Sequence, residues 1–215
     1  MAALFPRWSN SVLQALLFLA ASAAVGVPLF IWVLARTPYN TGVAEERTQP
    51  VLFDHRHHVG DDGIDCRYCH FAAEREAYAG VPPVAVCMNC HSQIWSDSVL
   101  LQPVRADYFS GQTLAWNRVS SVPDFVFFNH AIHVQRAVGC FTCHGRVDLM
   151  AAVRKAQPLN MGWCLDCHRD PAPNLRPASA VTDMQWAPAE PRALGTKIKG
   201  ELKINPPTNC TGCHR

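Results

Sequence analysis

Charge is scarce in this 215-residue chain: Asp, Glu, Lys and Arg together make up 17% of it. The formal net charge is +2 and the basic residues are scattered, which leaves no basis for a nucleic-acid-binding surface. Glycine is sparse as well, at 12 residues against 16 prolines. Beyond the N-terminal region there is little sustained apolar period of 3.6 or 2, so neither long helices nor a large sheet is expected there. Unpaired cysteines are missing altogether, although the chain has 10 cysteines and 10 histidines.

One stretch lacks charge completely. SVLQALLFLAASAAVGVPLFIWVLA, residues 11–35, carries no ionisable side chain. As a helix, its 25 residues reach about 37 Å, enough for a hydrocarbon core of about 30 Å. Trp8 and Trp32 stand near its ends as interfacial anchors, and Pro28 would kink it without forbidding it. Ala21-Ser22-Ala23 resembles a signal-peptidase site, but cleavage there would leave the apolar AVGVPLFIWVLA as a new N-terminus. The expectation is an uncleaved single-pass anchor with a short cytoplasmic tip, residues 1–36.

Every cysteine falls into one pattern: CRYCH (66–70), CMNCH (87–91), CFTCH (140–144), CLDCH (164–168) and CTGCH (210–214). C-x-x-C-H is the attachment motif of c-type haem. Cys66, Cys69, Cys87, Cys90, Cys140, Cys143, Cys164, Cys167, Cys210 and Cys213 would form thioethers. His70, His91, His144, His168 and His214 would then be the proximal iron ligands. Zinc ribbons use C-x-x-C pairs in twos, and a disulfide framework does not explain five adjacent histidines. The cofactor expected is therefore five covalently bound haem c. Bacterial haem c is attached outside the cytoplasm, which puts the residues after about Thr37 on the periplasmic, outer face of the inner membrane.

The other five histidines are not scattered. FDHRHH (53–58) and FNHAIH (128–133) share F-x-H-x-x-H, offset by 75 residues. A haem motif follows each at 8 and 7 residues, and a second motif 21 and 24 residues later. This is an internal duplication. Histidines at i and i+3 leave a helical turn on the same side, so His55, His58, His130 and His133 are expected to be distal ligands to neighbouring irons. Phe53 and Phe128 are expected to pack against porphyrin. The fifth distal ligand is assigned to Met150 or Met161, with His57 and then Met184 behind them. The organisation expected is the anchor (1–36), haem unit 1 with a connecting segment (37–125), and haem unit 2 with the terminal motif (126–215). The fold class is a multihaem cytochrome c, mostly irregular, with short helices around five packed haems and one N-terminal transmembrane helix.

About 32 residues per haem leaves the groups close together, and filled axial positions argue against bond chemistry at iron. FPRWSN (5–10), both F-x-H-x-x-H turns, CHGRVDLM (143–150), PLNMGWCLDCHR (158–169) and NCTGCHR (209–215) together resemble the membrane-anchored pentahaem cytochrome c subunit of bacterial alternative complex III. That resemblance implies an electron-carrying subunit with no catalytic site of its own. The partners it implies are membrane quinol-site subunits, an iron–sulfur subunit and a monohaem cytochrome c or terminal oxidase. The main rival is a self-sufficient membrane-anchored multihaem quinol dehydrogenase. A multihaem reductase is disfavoured because no C-x-x-C-K motif occurs.

Denaturing mass spectrometry of the mature holoprotein should find five covalent haems per chain. Four or fewer at full occupancy would break the motif reading.

Overall fold

A computed structural model describes residues 5–214. Residues 1–4 of the expected cytoplasmic tip, and Arg215 of the terminal NCTGCHR segment, lie outside the described residues. The chain divides into two compact units, Met1–Gly42 and Val43–Arg215.

The first unit is dominated by α1 (Ser9–Leu34), 26 residues with no buried side chain and with Pro28 inside it. It is the one described helix long and apolar enough to cross a membrane, judged by length and composition. Such a helix fits an anchor and a signal sequence alike. Arg36 closes the helix by donating to the Trp32 carbonyl at 3.0 Å, with its guanidinium 4.1 Å from the Trp32 ring centre. A single turn, α2 (Pro38–Thr41), ends at Gly42, whose φ of 66° is the left-handed conformation that glycine tolerates.

The second unit holds both halves of the duplication. Its helices are short: α3 (Cys66–Cys69), α4 (Val84–His91), α5 (Gln102–Ser110), α6 (His130–Gln135), α7 (Cys140–His144), α8 (Met161–Arg169) and α9 (Pro191–Glu201). The described residues contain no strand, only isolated bridges such as Val138 with Leu175 and Val126 with His214. Four of the attachment motifs lie on α3, α4, α7 and α8, and the fifth on a 3₁₀ turn, Cys210–Gly212. Local chemistry starts several of these turns. Asp65 caps α3, Asn129 caps α6 and Asn160 caps α8, each side chain accepting a backbone N–H of the first turn.

The first F-x-H-x-x-H turn differs from its counterpart. Residues 130–135 are α-helical, whereas Arg56–Asp61 forms a π-helix with His55 at its N-terminal flank. The first half has one residue more between His58 and Cys66 than the second has between His133 and Cys140. A wide π-turn absorbs one extra residue without shifting the histidines.

The apolar core is thin and split in two. Val51, Val84, Met88, Val104 and Leu114 form one cluster, and Ala137, Leu175 and Ile198 the other. The second is closed by α9, which packs on the 3₁₀ turn Ala172–Asn174. Gly195 permits that approach, because a Cβ there would overlap the carbonyl of Ala172. Gly195→Ala should therefore destabilise the holoprotein by about 1–3 kcal/mol through overpacking. Gly200→Ala, on the same helix with open space around it, should be neutral or slightly stabilising. Equal melting temperatures for the two variants would contradict this packing.

Candidate functional site

The ten motif cysteines are all free of disulfides. Their mutual proximity orders the motifs. Cys69 lies within electrostatic reach of Cys87 and Cys90. Cys66 and Cys140 share a hydrogen bond, which together with burial holds the Cys140 thiol well above the usual range. Burial, with Cys167 and Cys164 nearby, pushes Cys143 up to about 12. Cys164 in turn feels Cys213. The motifs thus stand in a row: 87–91, 66–70, 140–144, 164–168, 210–214. Chain order is inverted at the first two.

The histidines meet in pairs. His58 faces His91 with ring centres 6.1 Å apart, His133 faces His168 at 6.0 Å, and His130 faces His144 at 6.3 Å. Each pair joins one motif histidine to one from an F-x-H-x-x-H turn. His55 is half-buried among His70, His58 and His144, close enough to act on all three. His70 also feels His130, so His55, His70, His130 and His144 form one cluster between the two halves. Among the described residues, no three His, Cys, Asp or Glu converge on a single ion site.

Main-chain carbonyls fix the imidazoles. Nδ1 of His58 lies 2.9 Å from the Asp54 carbonyl, that of His91 2.9 Å from Ile94, and that of His130 2.8 Å from Ala73. Nδ1 of His133 lies 2.7 Å from Asn129 and that of His168 2.7 Å from Pro207. A carbonyl oxygen only accepts, so Nδ1 carries the proton and Nε2 keeps its lone pair. Burial pushes His55 and His144 down to about 4, and lowers His70 and His133. Those four rings are therefore neutral, the form that binds metal. His55 is the exception in its partners: its Nδ1 is the one described buried side-chain nitrogen or oxygen without any.

These observations fit iron-bound haem. A metal–imidazole bond is about 2 Å and the ring centre lies about 1 Å behind the nitrogen, so two rings on one ion stand roughly 6 Å apart. The three pairs match that separation. Carbonyls that set tautomer and ring orientation from behind are also what such ligands require.

The duplication extends to side-chain geometry. Phe53 stacks on His58 at 4.4 Å, and Phe128 on His133 at 4.8 Å. Phe53 and Phe128, expected to pack on porphyrin, thus lie against the histidines. His57 is turned to Asp61 and Asp62 at 3.7 and 3.5 Å, and is 58% exposed. His214 is stacked with Phe125 at 5.9 Å. Met150 is buried beside Gly145, Met184 is buried, and Met161 is exposed at the start of α8. The histidine-orienting carbonyls went unnoticed in the sequence, although the Asx residues Asp54 and Asn129 before each first histidine are a visible turn signal.

Residues 126–215 match the family described as cytochrome c7 and related cytochrome c. The chain is also similar to the menaquinone reductase multihaem cytochrome c subunit of Nitratidesulfovibrio vulgaris, at 37% identity over 100 residues. That stretch is 46% of this chain and 47% of the relative, so the match spans about half of each. Residues 126–215, fewer than half of the chain, are thus similar to the cytochrome c7 family, and the covered stretch of the relative is likewise under half of its length.

Proposed function

We propose that the chain is the membrane-anchored pentahaem electron-transfer subunit of a quinol-oxidising respiratory complex of the alternative complex III type. The observation that carries this is the set of histidine pairs at 6.0–6.3 Å, each uniting a motif histidine with one from a repeated turn. Two imidazoles of such a pair would hold one iron between them and leave it no position for substrate. When bound, haem c supplies a one-electron couple at each motif.

The chain's own residues do the holding. Each motif's cysteines would form the thioethers, and His70, His91, His144, His168 and His214 would hold the iron on the attachment side. His55, His58, His130 and His133 would supply the other ligands, with His58, His130 and His133 aimed by the carbonyls named earlier. Met161 is the favoured distal ligand at the terminal motif: it lies one turn before Cys164, whose thiol feels Cys213. Met150 packs beside Gly145, next to a different motif. The ordered row has two ends, CMNCH and CTGCH, as entry and exit require. We read α1 as an uncleaved anchor holding the haem-bearing unit at the outer face of the inner membrane. The partners are membrane quinol-site subunits, an iron–sulfur subunit, and a monohaem cytochrome c or terminal oxidase.

The similarity to a menaquinone reductase subunit favours one second reading, the same relay run in reverse to deliver electrons to quinone. Both readings make this chain a relay. The test is quinol-driven reduction, followed by haem absorbance, in the isolated chain and in the detergent-solubilised native assembly. Reduction in the assembly alone is the expected result. Comparable rates in the isolated chain would make it a self-sufficient quinol dehydrogenase. Reduction of the assembly's quinone by reduced periplasmic carriers, without the forward reaction, would select the reversed relay.

Axial saturation has its own consequence. The reduced wild-type chain should bind little carbon monoxide, and His133→Ala should gain about one per chain. No gain in the carbon monoxide difference spectrum would remove His133 from the ligand set.

A further inference from the structure

A buried cation stands at the middle of the row. Arg176 is 6% exposed. It threads behind the third motif, where a Cβ on Gly139 would meet its Nε, Cδ and Cζ. Its guanidinium carbon lies 5.3 Å from the Phe141 ring centre and 5.1 Å from that of Trp186. Nη1 donates to the Asp183 carbonyl at 2.7 Å, and the backbone N–H donates to the Ala137 carbonyl at 2.8 Å.

Among the described residues, no carboxylate lies within ion-pair distance of Arg176. The acidic side chain that acts on it is Asp183, which is exposed and accepts the Gln185 N–H instead. The arginines near other motifs are different. Arg67 is 48% exposed and paired with Asp65, Arg146 is paired with buried Asp148, and Arg169 is 65% exposed beside Asp166. Exposed or paired charges are screened and act weakly at a distance. A cation shielded from water acts further, because the medium around it screens less. Arginine also keeps its charge on burial, and two aromatic faces offset part of its desolvation.

We propose that Arg176 raises the reduction potential of the site at Cys140–His144, by holding an unpaired, water-shielded cation against the start of its attachment turn at Gly139. This rests on the reading of that motif as a haem site. Reduction adds one electron to the iron and removes one positive charge, so a fixed cation nearby favours the reduced state. Arg176 is a positioning residue for the electron, not a ligand.

The test is a potentiometric titration of the full-length holoprotein by visible absorbance, with covalent haem on the Cys140–Cys143 peptide measured on the same samples. Arg176→Gln should lower one component, so that at fixed ambient potential its reduced-to-oxidised ratio falls about tenfold. Arg176→Lys keeps the charge and should recover most of that change. Asp183→Asn removes the acidic group and should raise the same component's ratio about twofold. Unchanged components in a fully loaded Arg176→Gln, or equal shifts in the Gln and Lys variants, would overturn the inference while leaving the haem reading intact. If Arg176→Gln does not fold, an unchanged titration of Asp183→Asn overturns it. A wild-type peptide without haem would sink the haem reading and the inference together.

Discussion

The structure depends on imidazoles held at the separation that one bridging metal ion sets. In the three ring pairs at 6.0–6.3 Å, five of the six rings hold an Nδ1–H bond to a main-chain carbonyl, and burial lowers His55, His70, His133 and His144 so that they are uncharged. Among the described residues one histidine nitrogen, Nδ1 of His55, is buried without a partner, which is costly unless something binds that ring. The sparse aliphatic core follows from the same constraint: two clusters of small and medium side chains leave the centre to ligands and cysteines.

The two halves of the duplication are not independent. His130 donates its backbone N–H to Ala77 and its ring approaches the Ala73 carbonyl, while Gln135 reaches the Glu74 carbonyl. In return, the π-turn of the first half packs on Val147–Leu149 of the second, where Gly60 comes against the Asp148 carbonyl. Each half therefore supports the ligand turn of the other. The hydrogen bond between Cys66 and Cys140 lies at that junction, and Arg176 lies behind it. The junction is where the row of motifs passes from one half to the other.

Much of the site was legible in the sequence because its chemistry is local. Two cysteines and a histidine in five residues define an attachment turn, and i, i+3 histidines define a ligand turn, whatever surrounds them. The duplicated register of Phe53 with Phe128 and His58 with His133 singled out the loose histidines that the structure sets against motif histidines, and the phenylalanine–histidine ring contacts repeat that register. The long apolar helix was equally plain from composition. What depends on long-range packing was not legible. The carbonyl of Pro207 lies 39 residues from His168, and no pattern links them. The inverted order of the first two motifs follows from how the halves fold on one another. The π-turn came from a single extra residue whose effect only the backbone reveals. Arg176 stands 36 residues after Cys140 in a Pro-rich loop that looks like any surface segment.

The most direct measurement is low-temperature electron paramagnetic resonance of the fully oxidised holoprotein, with the signals integrated per haem. Histidine pairs closing on iron should give low-spin ferric signals from at least four of the five haems. High-spin ferric signals from two or more haems would mean that the paired histidines do not hold the iron, and the account would fail at its base.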